Sequence, residues 1–442
     1  MNIFSKLNLS ENAVKVAKNI GWALLGKVAT LLGSFIVGIF VARYLGPEQY
    51  GLMSYVIAYV SIFQTLALFG MDNIEIREEA KNKEDRDAII GTAFVLKVFL
   101  SLITMAVIAV MMTFSKTDTY TKWMIVLYSL SVIFNSFSVI RNYFTAIVWN
   151  EYVVKSEIFR TIIGMVIKVF LLLVHASLSW FIASMMFDFV LLGGGYCLSY
   201  SKKIDSMSLW HFDKEWAKVL LRQSFPLMLT TSAVIVYQRI DQVMLGDMLD
   251  NTAVGQFSVA SKIVEMLVFV PSIICQTVMP ILADIFKKDK TAYCFKAQRV
   301  MNVTVWLSIL LSVVACLLSY YIMLFTFGKD FMSAIPILRV LSFKLIAVAL
   351  SNAAGYLLII EGLQDYAIFR DVLGCVVCVA LNLVLIPVLG AVGSAIVAIV
   401  SNFVAGYLAD LVIPKYRHLF RMQTRAIFTG WKDVVRLKEI VG

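Results

Sequence analysis

Long apolar runs separated by short polar ones set the pattern of this chain. From Gly21 to Leu45 only Lys27 and Arg43 are charged, enough apolar length to cross a bilayer. Leu45-Gly46-Pro47-Glu48-Gln49-Tyr50-Gly51 then brings two glycines and a proline together, which predicts a tight turn. Leu52 to Gly70 runs back, and the charged cluster Asp72 to Asp87 ends the hairpin in water. Carried to the C-terminus, the pattern gives about twelve spans: 21–45, 52–70, 89–113, 121–146, 152–174, 176–200, 223–247, 252–284, 297–326, 332–360, 366–388 and 390–413. Neighbouring spans almost touch at His175 and at Gly390. Span 252–284 is expected to be broken, because Pro271 and Pro280 each remove a helix hydrogen bond.

Composition agrees with an all-α integral membrane protein. Of 442 residues, 60% are hydrophobic and 15% charged, against about 25% charged in soluble proteins; mean hydropathy is +0.84. The longest polar stretches, 201–222 and 414–442, are too short for a separate soluble domain. The first twenty residues hold neither an apolar core nor a small-residue cleavage site, so no removable signal peptide is expected. The net charge of +10 has a topological meaning. With both termini cytoplasmic, 25 Lys and Arg fall on the inner side and 4 on the outer side (Arg43, Lys116, Lys122 and Lys329). That placement orients the chain and removes the reason to expect nucleic acid. The six cysteines lie in or beside apolar runs; Cys375-Val-Val-Cys378 has metal-like spacing but no His or second Cys pair nearby, so buried thiols are expected.

A weak internal repeat is present. Leu45-Gly46 is followed by Gly51-x-x-Ser54, and Leu245-Gly246 by Gly255-x-x-Ser258, each opening an apolar span. With loop 201–222 between the sixth and seventh spans, two six-helix lobes related by a pseudo-twofold axis along the membrane normal are expected. The division is a first lobe at 1–200, the cytoplasmic loop 201–222, a second lobe at 223–413 and a basic tail at 414–442. That tail (Lys415, Arg417, Arg421, Arg425, Lys432, Arg436, Lys438) reads either as an amphipathic helix on anionic lipid or as a plain topology anchor.

Ala42-Arg-Tyr-Leu-Gly-Pro-Glu-Gln-Tyr-Gly-x-x-Ser-Tyr55, then Phe69-Gly-Met-Asp72 and Arg77-Glu-Glu-Ala80, resembles the N-terminal signature of the polysaccharide and O-antigen export flippases. These share a superfamily with multidrug and toxin extruders and lipid II flippases. Asn382-Leu-Val-Leu-Ile-Pro387-x-x-Gly390-x-x-Gly393-Ser-Ala is a looser echo near the end; by its physics it ends one span and lets the next helix pack closely. The resemblance implies a multi-pass protein of the cytoplasmic membrane that moves polyprenyl-pyrophosphate-linked oligosaccharide by alternating access. Membrane lipids, a polysaccharide polymerase and a chain-length regulator are its implied partners. The resemblance leaves open O-antigen, capsule or exopolysaccharide as the polymer.

Charges inside the spans carry the candidate chemistry. A charge at mid-span costs on the order of 3 kcal/mol on insertion scales. Ten basic residues lie there (Lys27, Lys97, Arg141, Arg160, Lys168, Arg239, Lys262, Arg339, Lys344, Arg370) against about six acids (Glu157, Asp188, Asp241, Glu265, Asp371, Asp410). Some cations therefore face water or an anion. Arg239, Arg339, Lys344, Lys262 and Lys168 lie deep enough to bind a phosphorylated substrate, Arg by a two-pronged grip and Lys as a point charge. Lys262 and Glu265 are spaced i, i+3, which also allows them simply to pair on one helix face, and Glu157 and Arg160 have the same spacing. Lys27, Lys97 and Arg141 read as snorkelling or structural. Asp188, Asp241 and Glu265 are the candidate ion-coupling acids, Asp188 foremost because no partner shares its helix.

No phosphate-binding Gly-rich loop, acid–base dyad or metal cluster is visible, and the three histidines are scattered, so neither an enzyme nor a cofactor is expected. A membrane glycosyltransferase or polymerase needs a large loop or an acidic metal motif. The alternative transporter is an ion-coupled multidrug or metabolite antiporter of the related extruder type. Those favour acidic cavities, whereas the first span here carries Lys27 and no acid.

Overall fold

The structure, a computed structural model, describes the backbone of residues 11–435 and the side chains of residues 33–433 except 365. The Lys27 side chain, Arg436 and Lys438 lie outside that part. Helices follow one another in the order α1 (Glu11–Leu68), α2 (Asp72–Lys81), α3 (Arg86–Phe114), α4 (Thr119–Phe134), α5 (Ser138–Ala146), α6 (Asn150–Leu173), α7 (Leu178–Lys203), α8 (Lys214–Met248), α9 (Asn251–Lys288), α10 (Lys290–Leu317), α11 (Ser319–Thr326), α12 (Ile335–Leu341), α13 (Lys344–Glu361), α14 (Ala367–Phe403), α15 (Ala409–Val412), α16 (Arg417–Thr429) and α17 (Trp431–Val435). No strand occurs among the described residues.

At about 1.5 Å per residue, the 58 residues of α1 would far exceed a hydrocarbon core of about 30 Å. The run is in fact two helices meeting at Gly46, whose backbone (φ 71°, ψ 174°) no helix contains. Gly46 supplies the positive φ, and Pro47 starts the next helix with φ already set. Span two ends at Phe69 and Gly70, both at positive φ. A Cβ on Gly70 would stand 2.6 Å from the Met228 backbone nitrogen, so glycine is needed there twice over. The pattern recurs at the far end, where α14 breaks at Gly390 (φ 60°) just after Pro387.

Nine stretches of the described residues are long and apolar enough to cross a membrane, and two of them, Gly33–Lys81 and Ala367–Val412, each hold two of the expected spans. The chain is an all-α integral membrane protein. One expectation fails: α9 runs unbroken through Pro271 and Pro280. A proline removes one bond of the ladder, which a long helix packed on its neighbours tolerates.

The chain forms two compact units. The first joins residues up to Tyr44 with Tyr59–Ser232, and the second joins Leu45–Ala58 with everything from Ala233 on. Met71, Ile90, Phe144 and Tyr200 lie in the core of the first; Met301, Val305, Leu357 and Tyr416 lie in that of the second. The polar stretch 201–222 is anchored rather than loose. Thr92 Oγ1 accepts from the Asp213 backbone at 2.8 Å, and Asp213 caps the start of α8 through the Glu215 and Trp216 amides. In the tail, α16 buries Leu419, Gln423 and Ala426 and exposes Arg417, Arg421 and Arg425, so the helix is amphipathic.

Candidate functional site

The second unit encloses a cavity of about 300 Å³ between α8, α9, the junction of α12 with α13, and α14. From the run Tyr237-Gln-Arg-Ile-Asp-Gln242 of α8, every residue but Ile240 lines it. One turn of helix presents Arg239 and Asp241 to the same space although their side chains diverge. Glu265 enters from α9 and Lys344 from the start of α13.

Arg239 Nη1 lies 3.5 Å from Glu265 Oε1, and the Glu265 side chain is 58% exposed. An ion pair that long and that open is weak. The Lys262–Glu265 pairing that the spacing allows is not formed, because Glu265 turns to Arg239 of α8. Lys262 is half-buried, lies outside the cavity wall and has no carboxylate within 4 Å among the described residues. Lys344 likewise has no carboxylate in reach among those residues and faces the cavity.

Asp241 is 1% exposed. Asn382 Nδ2 donates to its Oδ1 at 2.6 Å, and the Cys378 thiol points at the same oxygen from 3.6 Å. Ser394 Oγ donates to Asn382 Oδ1 at 2.8 Å, which fixes the amide so that its NH2 faces Asp241. Burial of an unpaired carboxylate is costly; here two hydrogen-bond donors stand in for a cation. Of the Cys375-x-x-Cys378 pair, Cys378 aims its thiol at an acid and at the Tyr237 carbonyl. The Asn382…Ser394 motif, read in the sequence as helix packing, also builds this network. Sequence inspection missed that role, since its only signal was the polarity of Asn382 and Ser394 in an apolar run.

The other candidates sit elsewhere. Lys168 of α6 makes a short ion pair with Asp188 of α7 in the first unit, each side chain being about 15% exposed or less. Gly164 makes room for it, because a Cβ there would stand 2.3 Å from Asp188 Oδ1. Asp188 thus has a cation on the neighbouring helix, and Lys168 is occupied. Arg339 is exposed, and its Nε donates to Ser319 Oγ at 3.0 Å, outside the cavity wall. Of the intramembrane cations not assigned to substrate, Lys97 is fully buried. It is 2.8 Å from Asp72 and 2.7 Å from Glu75. Arg141 also reaches Asp72, at 2.8 Å. Arg370 Nε meets Asp410 at 3.4 Å and the Ala405 carbonyl at 3.0 Å. That carbonyl belongs to Val404–Leu408, a π turn in the last span. Two cations and two acids thus face the cavity, and the positive surplus counted over the spans is not gathered there.

A model of the polysaccharide biosynthesis protein family matches residues 16–286, from the first span through α9. The chain belongs to that family. The match takes in Arg239, Asp241 and Glu265 and stops before Lys344 and Asn382. Comparison with curated protein sequences found no match. Among solved structures, this family member is similar to the lipid II flippase MurJ in an inward closed conformation, with TM-score 0.70 and 14% identity over 94% of this chain and 93% of that one. It is also similar to an inward-facing multidrug resistance MATE transporter of the MOP superfamily, with TM-score 0.68 and 15% identity over 90% and 96%. A third likeness is to a MOP superfamily transporter from Pyrococcus furiosus described as having a binding pocket of reverse polarity, with TM-score 0.56 and 11% identity over 94% and 95%. At these identities the likeness is one of fold.

Proposed function

We propose that the chain flips polyprenyl-pyrophosphate-linked oligosaccharide across the cytoplasmic membrane for surface polysaccharide synthesis, with both termini on the cytoplasmic side. The observation that carries it is the presence of Arg239 and Lys344 in one cavity on a transporter fold, with Glu265, the ion-pair partner of Arg239, held weakly. Arg239 offers two N–H groups in a plane and Lys344 a compact charge, a combination that suits a pyrophosphate. Family membership and the lipid-flippase fold support the substrate class. Of the three acids, Asp241 is the best placed to take up a proton or a monovalent cation. Asp188 and Glu265 each have a basic partner within 4 Å, whereas the hydrogen-bond donors on Asp241 are neutral and Lys344 acts on it only through space. A polymerase and a chain-length regulator are the partners that act on the delivered unit.

The test is transport in proteoliposomes carrying a fluorescent polyprenyl-pyrophosphate oligosaccharide, read by its accessibility to a quencher that cannot cross. Wild type should speed exchange, and Arg239→Ala and Lys344→Ala should each slow it at least about tenfold, the loss of one good charge-assisted contact. Unchanged rates in both variants would remove the two cations from the substrate path. A second reading has its own support, since Asp241 and Glu265 in the same cavity also suit an organic cation. Uptake of a cationic dye that Glu265→Gln abolishes, with no lipid-linked sugar moved, would favour the extruder.

A further inference from the structure

The first unit holds a second set of buried charges that the cavity does not use. Asp72, Glu75 and Glu79 are spaced i, i+3 and i+7 along α2, on one face of the helix. That face packs on α3 and α5. Lys97 of α3 meets Asp72 and Glu75, and Arg141 of α5 meets Asp72. Asn142 of α5, itself fully buried, donates to Asp72 at 2.9 Å and to Glu75 at 2.6 Å. Both cations are therefore taken by the first two acids. Glu79 lies one turn beyond Glu75, is 2% exposed, and neither of its oxygens has a hydrogen-bond partner in the structure. The charges around it are Glu75 and Asp72 on its own helix and Lys97 on α3; Tyr143 of α5, which bonds Arg86, is the remaining titratable neighbour.

We propose that Glu79 is a proton-binding site. Three carboxylates facing two cations leave one negative charge too many for a fully enclosed space, and a carboxylate with no donor in reach resolves this by binding a proton. An O–H bond forms on one carboxylate oxygen, the proton comes from water, and the carboxyl becomes neutral. The route for that proton is laid out on the same face. The Asp72 side chain is 33% exposed and Arg141 38% exposed, so this end of the cluster is wet. Glu75, fully buried, shares Lys97 with Asp72 and stands between the wet end and Glu79. The helix that carries the site follows directly on the Phe69–Gly70 break, so α2 is joined to span two by a corner rather than by a continuous helix. Release of the proton puts an uncompensated charge under α2 and weakens its seat on α3 and α5. The site does not depend on what cargo the second unit handles.

The experiment is infrared difference spectroscopy of the full chain in detergent, wild type against Glu79→Gln, together with thermal unfolding from mildly acid to mildly alkaline pH. Wild type should show the carbonyl band of a protonated carboxyl that the variant lacks. Its melting temperature should fall as the pH rises, while the curve of the variant should be flatter over the same range. Glu79→Met, neutral and similar in length, should fold as Glu79→Gln does. An identical carboxyl band in wild type and Glu79→Gln would overturn the proposal. So would failure of both neutral variants to fold, since that would mean the native site needs the charge.

Discussion

Gly51 and Gly255 meet reciprocally inside the second unit. A Cβ on Gly51 would stand 1.7 Å from the Asn251 carbonyl oxygen, and one on Gly255 would stand 2.0 Å from that of Pro47. Each glycine thus faces the carbonyl four residues before the other. These are the second glycines of the two copies of the internal repeat, so the repeat units are in direct backbone contact. Tyr55 seals the crossing, with its hydroxyl 2.7 Å from Asp247 Oδ1. Replacing either glycine by alanine should cost about 3 kcal/mol or more, because the obstacle is backbone and cannot swing away. The double variant should cost less than the sum, since the first methyl already forces the helices apart. Thermal unfolding of the three variants decides; additive losses would mean the two contacts are independent.

The cluster around Lys97 should behave as a buried ion network. Lys97→Met leaves Asp72 and Glu75 without their common cation and should destabilise the first unit by about 3–5 kcal/mol. Adding Glu75→Gln should restore a part of that loss. A Lys97→Met protein as stable as wild type would show that the carboxylates are neutral already.

Asn382→Ala removes the 2.6 Å donor from Asp241 and strands the Ser394 hydroxyl. An expected cost of about 1–3 kcal/mol follows from one buried acceptor left unsatisfied. Cys378→Ser, which keeps a donor at the same place, should cost less. Unfolding midpoints in a mild denaturant series measure both, and a larger loss for Cys378→Ser would reverse the ranking of the two donors.

At the C-terminal end of α13, His418 Nε2 lies 2.7 Å from Glu361 Oε2. That hydrogen bond raises the imidazole's pKa above its ordinary value of 6.5. With the folded value above the unfolded one, the contact is at full strength below the ordinary pKa and fades as pH rises through the raised one. Relative to the intrinsic base-catalysed rate, protection of α16 amides should therefore fall over that window in wild type, and in His418→Gln it should stay level. Equal pH dependence in both proteins would place the titrating group elsewhere.

Local features were legible in the sequence, and long-range pairings were not. Gly46 with Pro47, and Gly390 after Pro387, mark the corners of both hairpins, because positive φ and a missing N–H are properties of single residues. The partner of a buried charge is a property of packing. Glu265 had Lys262 at helical spacing and took Arg239 of α8 instead. Asp188 had no partner on its own helix and found Lys168 on the next. Asp241 is held by Asn382 and Cys378, about 140 residues away along the chain, a distance over which no periodicity reports. Arg239 and Asp241 were recognisable as candidates from their place inside a span, and their shared cavity depends on four further helices.

The assignment of Leu45–Ala58 to the second unit bears on how the molecule is made. The surface around Gly51 and Tyr55 leaves the ribosome well before Asn251 and Gly255, roughly ten to forty seconds earlier at about 5–20 residues per second. For that interval the contacts of Gly51 and Tyr55 with Asn251, Gly255 and Asp247 are still to be made. A gene split at the central loop would yield an N-terminal fragment carrying a piece of its sister, and the two products would have to find each other before either was finished.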